Sequence, residues 1–576
     1  MDTQLRMRGP RDLEESSNDH DDAVEDPRRP RRRLNLRKTA PYGAVVLLCL
    51  CAFFYFTQVP DSTVEKPLPV QFDKDRKAKP IEQKPPSQAA DGRVHLSADV
   101  AKRDAVVEAF KHSWKAYERD AWGSDDYHPI ARKGRNFSTT GGMGYMITDA
   151  IDTIHLMGLK DEFTRARNWI ANDLSFEHNG DFSTFETTIR VLGGLLSTYY
   201  LTSDQAFLDR SVDLADRLMV AFKTPHGLPL SSVDLKKRQG VPDHGNPGMV
   251  STAEGATLQL EFRYLSHLTD NITYWRAAEK VIEVIKKNLP DPPLVPIFMN
   301  YNTGEFSHSD IRLGSRADSY YEYLLKDYLQ TGRTEEVYRK MYDDAMSAVH
   351  SHLVEYTPTQ KLLITVELPS FSKKKEGKQD HLVCFLGGSL MLGATDGAHA
   401  AIPPDLSKMS TNARRDWGTG QELIKTCMET HKSKTGLSPE ITHFHLDPVE
   451  GAQQDWYIKN SWWDARYLLR PETVESLFIA WRLTGDQKYR DWGWQVFTAI
   501  EKHAKIESGG YATVLNVDEL PVRYEDKMET FFLAETLKYL FLLFEDSSVL
   551  PLTDVVFNTE AHPLPVFKPT ISTGFA

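Results

Sequence analysis

The sequence predicts an all-α fold in which about seven helical hairpins close into a ring, and three observations carry that expectation. First, one pattern recurs: an acidic residue, an amphipathic helical stretch, a short polar turn such as "LTGD" or "QTGR", and a second stretch rich in Tyr, Trp and Arg. Second, the acidic heads Glu186, Glu254, Asp318, Glu472 and Glu529 stand 68, 64, 154 and 57 residues apart, a period with one double interval. Third, the acids hold the same place in each copy. In a closed ring the first turns of the inner helices converge on one mouth, whereas an open solenoid spreads them along a surface.

In chain order, a helix related to the repeat begins at Gly144 with "GYMITDAIDTIHLMGL". "FETTIRVLGGLLSTYYLTSDQAFLDRS" begins at 185, "AEGATLQLEFRYLSHLTDNITYWRAA" at 253 and "ADSYYEYLLKDYLQTGRTEEVYRKM" at 317. "CFLGGSLMLGA", from Cys384, fits a degenerate copy inside the double interval. "PETVESLFIAWRLTGDQKYRDWGW" begins at 471, where Pro471 suits a first helical position because its missing N–H costs nothing there. "METFFLAETLKYLFLLF" begins at 528. A single acid in a first turn only complements the helix dipole. Five in register, with Arg190, Arg316 and Arg470 beside several of them, form a pocket, and carboxylates gathered with aromatics are the equipment of sugar hydrolysis.

The chain before this repeat has a different composition. Residues 1–41 are rich in Asp, Glu, Arg and Pro and offer little to bury, so they read as a disordered cytosolic tail. Its end, "PRRPRRRLNLRK", is strongly basic, and "YGAVVLLCLCAFFYFTQV", residues 42–59, carries no charge. With its flanks that run suffices for a membrane span of about 17–25 residues. The basic cluster before it places the N-terminus in the cytosol and the body in the lumen, as in a type II signal anchor. Residues 60–96, with several prolines and lysines, read as an extended stem, leaving 97–576 as the folded body. The formal charge of −12 argues against a nucleic-acid partner.

Cysteine usage bears on the compartment. Cys49 and Cys51 lie in the span, so Cys384 and Cys427 are the only lumenal pair, expected to form a disulfide in an oxidising compartment and otherwise two buried thiols. Asn136-Phe-Ser and Asn271-Ile-Thr are glycosylation sequons on the same side.

"FETTIRVLGGLLSTYYL", "RADSYYEYLLK", "LRPETVESLF", "FFLAETLKYLFLLF" and "VFNTEAHPLP" together resemble the class I α-1,2-mannosidases, glycoside hydrolase family 47, across essentially all of 97–576. The resemblance implies an (α/α)7 barrel, calcium dependence and inverting removal of terminal α-1,2-linked mannose from high-mannose N-glycans. It implies Glu186 as general acid, Glu472 as general base and Asp318 as a third catalytic carboxylate. Arg470 and its place at a helix start are expected to keep Glu472 ionised, whereas Arg190 would favour the charged form of Glu186 and weakens its assignment as acid. Further pocket residues implied are Arg190, Glu254, Glu440, Arg470, Glu475, Glu535 and Glu560, with Phe531 as a sugar-stacking ring. Thr559, in "FNTEAHP", is the implied calcium ligand, and no EF-hand loop occurs. His443 and His445 in "THFHLD" have no third ligand near and are discounted as a zinc site. Arg316 resembles the endoplasmic reticulum type, which removes chiefly one mannose and yields an eight-mannose product. A Golgi-type enzyme has a smaller apolar residue there, and residence in the early Golgi stays open. A lectin-like member of the fold would depart at the three carboxylates or at Thr559, and this chain does not.

Overall fold

The computed structural model describes residues 95–575 apart from residue 373. The tail (1–41), the anchor (42–59) and all but the end of the stem therefore lie outside the described residues. No helix among the described residues is long and apolar enough to cross a membrane. The body begins slightly before residue 97, because Leu96 is buried and its carbonyl accepts from the Ser547 N–H at 2.9 Å.

Fourteen long helices stand among the described residues, alternating between an outer and an inner layer. The outer set is α1 (Val100–Ala121), α3 (Lys160–Asn172), α5 (Gln205–Leu218), α7 (Ile272–Asn288), α9 (Glu336–His352), α11 (Thr411–Thr430) and α13 (Gln487–His503). The inner set is α2 (Tyr145–Leu156), α4 (184–202), α6 (252–269, interrupted at 257–258), α8 (Asp318–Gln330), α10 (Phe385–Ala394), α12 (Glu472–Thr484) and α14 (532–544). Each inner helix packs on the next, and α14 packs on both α2 and α1, which closes the ring of seven hairpins. The layers differ in sequence for a physical reason. Inner helices are buried on all sides, as α8 is from Ser319 to Gln330, whereas α5 buries one face only.

The repeated turns explain the repeated motif. After α4, α6 and α12 a residue takes the left-handed conformation: Ser203, Asp270 and Gly485. The next residue then caps the following helix, with Asp204, Asn271 and Asp486 accepting from the N–H two residues on at 3.0–3.1 Å. These tight turns lie at one end of the ring. The connections running from outer to inner helices are long, carry small antiparallel ladders, and gather at the other end, where the inner helices begin.

A C-terminal hairpin, Val555–Phe557 paired with Pro563–Pro565, packs against α4, α6 and α8 inside the ring. Its tip, 558–562, rises toward the mouth. Cys384, just before α10, is bonded to Cys427 of α11, as one of the two expectations held. Closing a loop of 43 residues contributes about 4 kcal/mol in the chain-entropy model. Asn136 is exposed, and Asn271 is half-buried at its cap position. His443 pairs with Asp464 at 3.2 Å, and no three metal-binding side chains converge among the described residues.

Candidate active site

The mouth is built from first turns. Asp318 and Glu472 are the first residues of α8 and α12, Glu254 lies in the first turn of α6, and Glu186 opens α4 behind the Ser183 cap. Two of the inner helices open with a wide π turn, over Thr187–Leu192 and Phe532–Thr536. Such turns rotate side chains off the ordinary helical face and recur at functional sites. Here they bring Arg190 and Glu535 inward.

Arg190 is the hub of one wall. Its Nε donates to Glu186 Oε2 at 2.7 Å, and its Nη1 donates to Thr530 Oγ1 at 3.2 Å, to Asp149 Oδ2 at 3.5 Å and to Glu560. Arg470 is the hub of the other. It forms a bidentate bond to Glu440, with Nε 2.9 Å from Oε2 and Nη2 2.6 Å from Oε1, and its Nη1 lies 3.9 Å from Glu472 Oε1. The ring of Phe531 spans the gap, its centroid 5.6 Å from one guanidinium carbon and 5.5 Å from the other. A packed aromatic between two cations is held rigidly.

This arrangement corrects the expectation for Glu472. Arg470 is committed to Glu440, so burial outweighs it and pushes the Glu472 carboxyl up to about 7, with Glu440 and Glu322 adding repulsion. Its Oε2 is buried and finds no protein donor. Asp318 is likewise pushed up to about 7, chiefly by burial, with Glu322, Asp380 and Glu472 adding to it against the Ser319 N–H bond. Burial raises Glu475 to about 8 despite Lys326 at 3.7 Å, and it raises Glu535 and Glu560 well above the carboxylate range.

The structure therefore brings Glu186, Arg190, Asp318, Glu440, Arg470, Glu472, Glu475, Phe531, Glu535 and Glu560 to one pocket. Glu440 and Glu560 are buried and grip arginines, so each acts on a ligand through its arginine. Glu254 and Arg316 stand higher on the rim, 4.0 Å apart. Arg316 also lies over the Phe298 ring at 5.0 Å and holds a left-handed backbone, φ 77°. For a residue with a Cβ that conformation is strained. It is fixed by its neighbours: the Arg316 carbonyl accepts from Ala253 N–H at 2.8 Å, and buried Asp380 accepts from Ser315 N–H at 3.2 Å.

Thr559 sits half-buried at the hairpin tip, its N–H donating to Tyr323 Oη at 3.3 Å. The tip is anchored by residues that the sequence reading missed. Asn558 Nδ2 donates to Glu261 at 2.7 Å and to the Ile189 carbonyl at 2.9 Å. His562 bonds Asp152 at 2.8 Å and Asp149 at 3.2 Å, and Lys538 bonds Asp152 at 2.9 Å, all four side chains fully buried. The available signal was Asp149 and Asp152 within the otherwise apolar "GYMITDAIDTIHLMGL". Thr559 offers a carbonyl and a hydroxyl oxygen at the tip beside Glu560, and oxygen donors suit a hard divalent cation such as calcium.

A family model described as glycosyl hydrolase family 47 matches residues 109–566. The chain belongs to glycosyl hydrolase family 47. This family 47 chain is thus a glycoside hydrolase. It is 46% identical over 474 residues to a mannosyl-oligosaccharide 1,2-alpha-mannosidase of Candida albicans, covering 80% of this chain and 83% of that protein. It is 43% identical over 494 residues to the endoplasmic reticulum mannosyl-oligosaccharide 1,2-alpha-mannosidase of Schizosaccharomyces pombe, covering 84% and 92%. The alpha-1,2-mannosidase from Trichoderma reesei superposes with a TM-score of 0.73 at 29% identity, over 82% of this chain and all of that one.

Proposed function

We propose that this family 47 enzyme is a calcium-dependent, inverting exo-α-1,2-mannosidase that trims terminal mannose from high-mannose N-glycans. Its place is the endoplasmic reticulum membrane, held through residues 42–59 with the body in the lumen, as the composition of the N-terminus and the name of the Schizosaccharomyces pombe relative suggest. The observation that supports the chemistry best is the pair Asp318 and Glu472. Both are drawn toward neutrality by burial, the Glu472 charge adds to the rise of Asp318, and both sit at one mouth.

Inverting hydrolysis needs one carboxyl to give a proton and one to take a proton. With both carboxyls near 7, protonated and ionised forms are each available at neutral pH. Glu472, whose Oε2 has no protein donor, takes the proton of the attacking water. Asp318 in its protonated form gives a proton to the leaving glycosidic oxygen, directly or through a water bound by Glu186. The C1–O bond breaks as the water oxygen bonds C1 from the opposite face, so the released mannose is the β anomer. Phe531 offers a stacking face, and Arg190 and Arg470 fix its walls.

Calcium would be held by the carbonyl and hydroxyl of Thr559, with water and sugar hydroxyls as further ligands and Glu475, Glu535 and Glu560 in support. When bound, the ion would anchor sugar hydroxyls and favour the ionised form of the acids around it. Arg316 sets which mannose is removed: a rigid five-donor fork on the rim fixes one branch. Digestion of a nine-mannose N-glycan followed over time tests the reading. The wild type should stop mainly at eight mannoses and Arg316→Leu should trim further. A wild type that runs as readily to five mannoses would refute the single-branch assignment, and no mannose release would refute the function.

A further inference from the structure

Trp462 and Trp463 stand side by side on the mouth face with 59% and 51% of their surface exposed. Keeping two indoles in water forgoes hydrophobic stabilisation that burial would provide. The segment holding them is nonetheless tightly built. Asn460 Oδ1 accepts the N–H groups of both tryptophans, at 2.8 and 3.1 Å. Buried Asp464 accepts from the Asn460 N–H at 2.8 Å and bonds His443 at 3.2 Å. The two rings meet at 89° with centroids 6.5 Å apart, so they present two fixed faces at right angles.

What lies beside them identifies the occupant. The Arg466 guanidinium stacks on Trp463 at 5.2 Å and its Nη1 lies 3.5 Å from Glu525. Four residues beyond Arg466 is Arg470, and four beyond Glu525 is Glu529, which adds to the field on Arg470. Four extended residues reach at most about 14 Å, so Arg466 lies within that backbone distance of Arg470 in the pocket that holds Phe531. Arg466 is itself buried and backs the Trp463 ring, while Glu525 is half-exposed beside it. An aromatic face with a carboxylate at its edge matches the C–H face and hydroxyls of a sugar ring. A purely apolar partner would desolvate the half-exposed Glu525 carboxylate without offering it a donor.

We propose that Trp462 and Trp463 form a carbohydrate platform that holds the part of a branched glycan remote from the mannose being cleaved. This rests on the mannosidase reading above, and it would let binding energy from the rest of the glycan favour reaction at the distant bond. The test compares full-length wild type, Trp463→Ala, the Trp462→Ala/Trp463→Ala double variant and Trp463→Phe on three substrates: α-1,2-linked mannobiose, a free nine-mannose oligosaccharide and a glycoprotein carrying the same glycan. The alanine variants should lower kcat/KM on the free oligosaccharide about tenfold, the factor that 1.4 kcal/mol represents, mainly through KM. Mannobiose hydrolysis should be unchanged, and Trp463→Phe should keep most of the oligosaccharide activity. Equal losses on mannobiose would show damage to the pocket and overturn the proposal. So would no loss on the free oligosaccharide, or a loss confined to the glycoprotein, which would mark a polypeptide-binding surface. A wild type that releases mannose from none of the three would overturn the mannosidase reading itself.

Discussion

Replacing Glu440 by Gln should move the acidic limb of the pH–rate profile to lower pH. Glu440 grips Arg470 with two short bonds and leaves its Nη1 3.9 Å from Glu472. The amide keeps the shape but removes the charge, so Arg470 is free to close on Glu472. At an effective dielectric of about 20, shortening that separation from 3.9 Å to a hydrogen-bond distance of about 2.8 Å is worth about 1.7 kcal/mol, about one pKa unit. Loss of the Glu440 charge acts in the same direction, since it is one of the groups raising Glu472. A general base works only when ionised, so kcat/KM falls as pH drops through its pKa. The variant should then hold its activity to a pH about one unit lower than wild type. The assay is kcat/KM for nine-mannose oligosaccharide from pH 5 to 8 at saturating calcium. An unmoved limb, or one shifted to higher pH, would refute the argument that Glu440 withholds Arg470 from Glu472.

Thr559→Ala removes one of the two proposed calcium ligands, so the calcium needed for half the metal-induced rise in melting temperature should increase about tenfold or more; an unchanged calcium titration would remove Thr559 from the site. Glu472 also makes a stability prediction in chelator. Its folded pKa of about 7 lies above an unfolded value of about 4.3, so its contribution is full at low pH and is lost as pH rises through about 7. Relative to wild type, Glu472→Gln should therefore gain about 3 kcal/mol in unfolding free energy from denaturant titration between pH 4 and pH 8; a pH-independent difference would show that Glu472 is not buried in this way.

Much of the ring could be read from the sequence because its helices repeat local signals. The turns "LTSD", "LTDN" and "LTGD" encode a left-handed residue followed by an N-cap, and the acids at each head fall where the inner helices start. The degenerate copy at Cys384 was legible from spacing, since "CFLGGSLMLGA" has no acid of its own. What stayed hidden depends on long-range approach. Nothing local tells that Glu440 would take the Nε–Nη2 edge of Arg470, 30 residues away, and so leave Glu472 to burial. The hairpin tip is hidden for the same reason: Asn558 and His562 are fastened to Glu261, Asp149 and Asp152, far along the chain. Thr559 entered through the resemblance, because a lone threonine in a turn carries no signal of its own. The π turns that swing Arg190 and Glu535 inward have no sequence signature either.

The most direct test of the account is proton NMR of the sugar first released from a nine-mannose oligosaccharide, recorded before mutarotation, with calcium and with excess chelator. The account predicts β-mannose as the first product, no release in chelator, and recovery when calcium is restored. An α anomer as the first product would contradict the assignment of Glu472 as the base that activates water, and undiminished release in chelator would contradict the role given to Thr559.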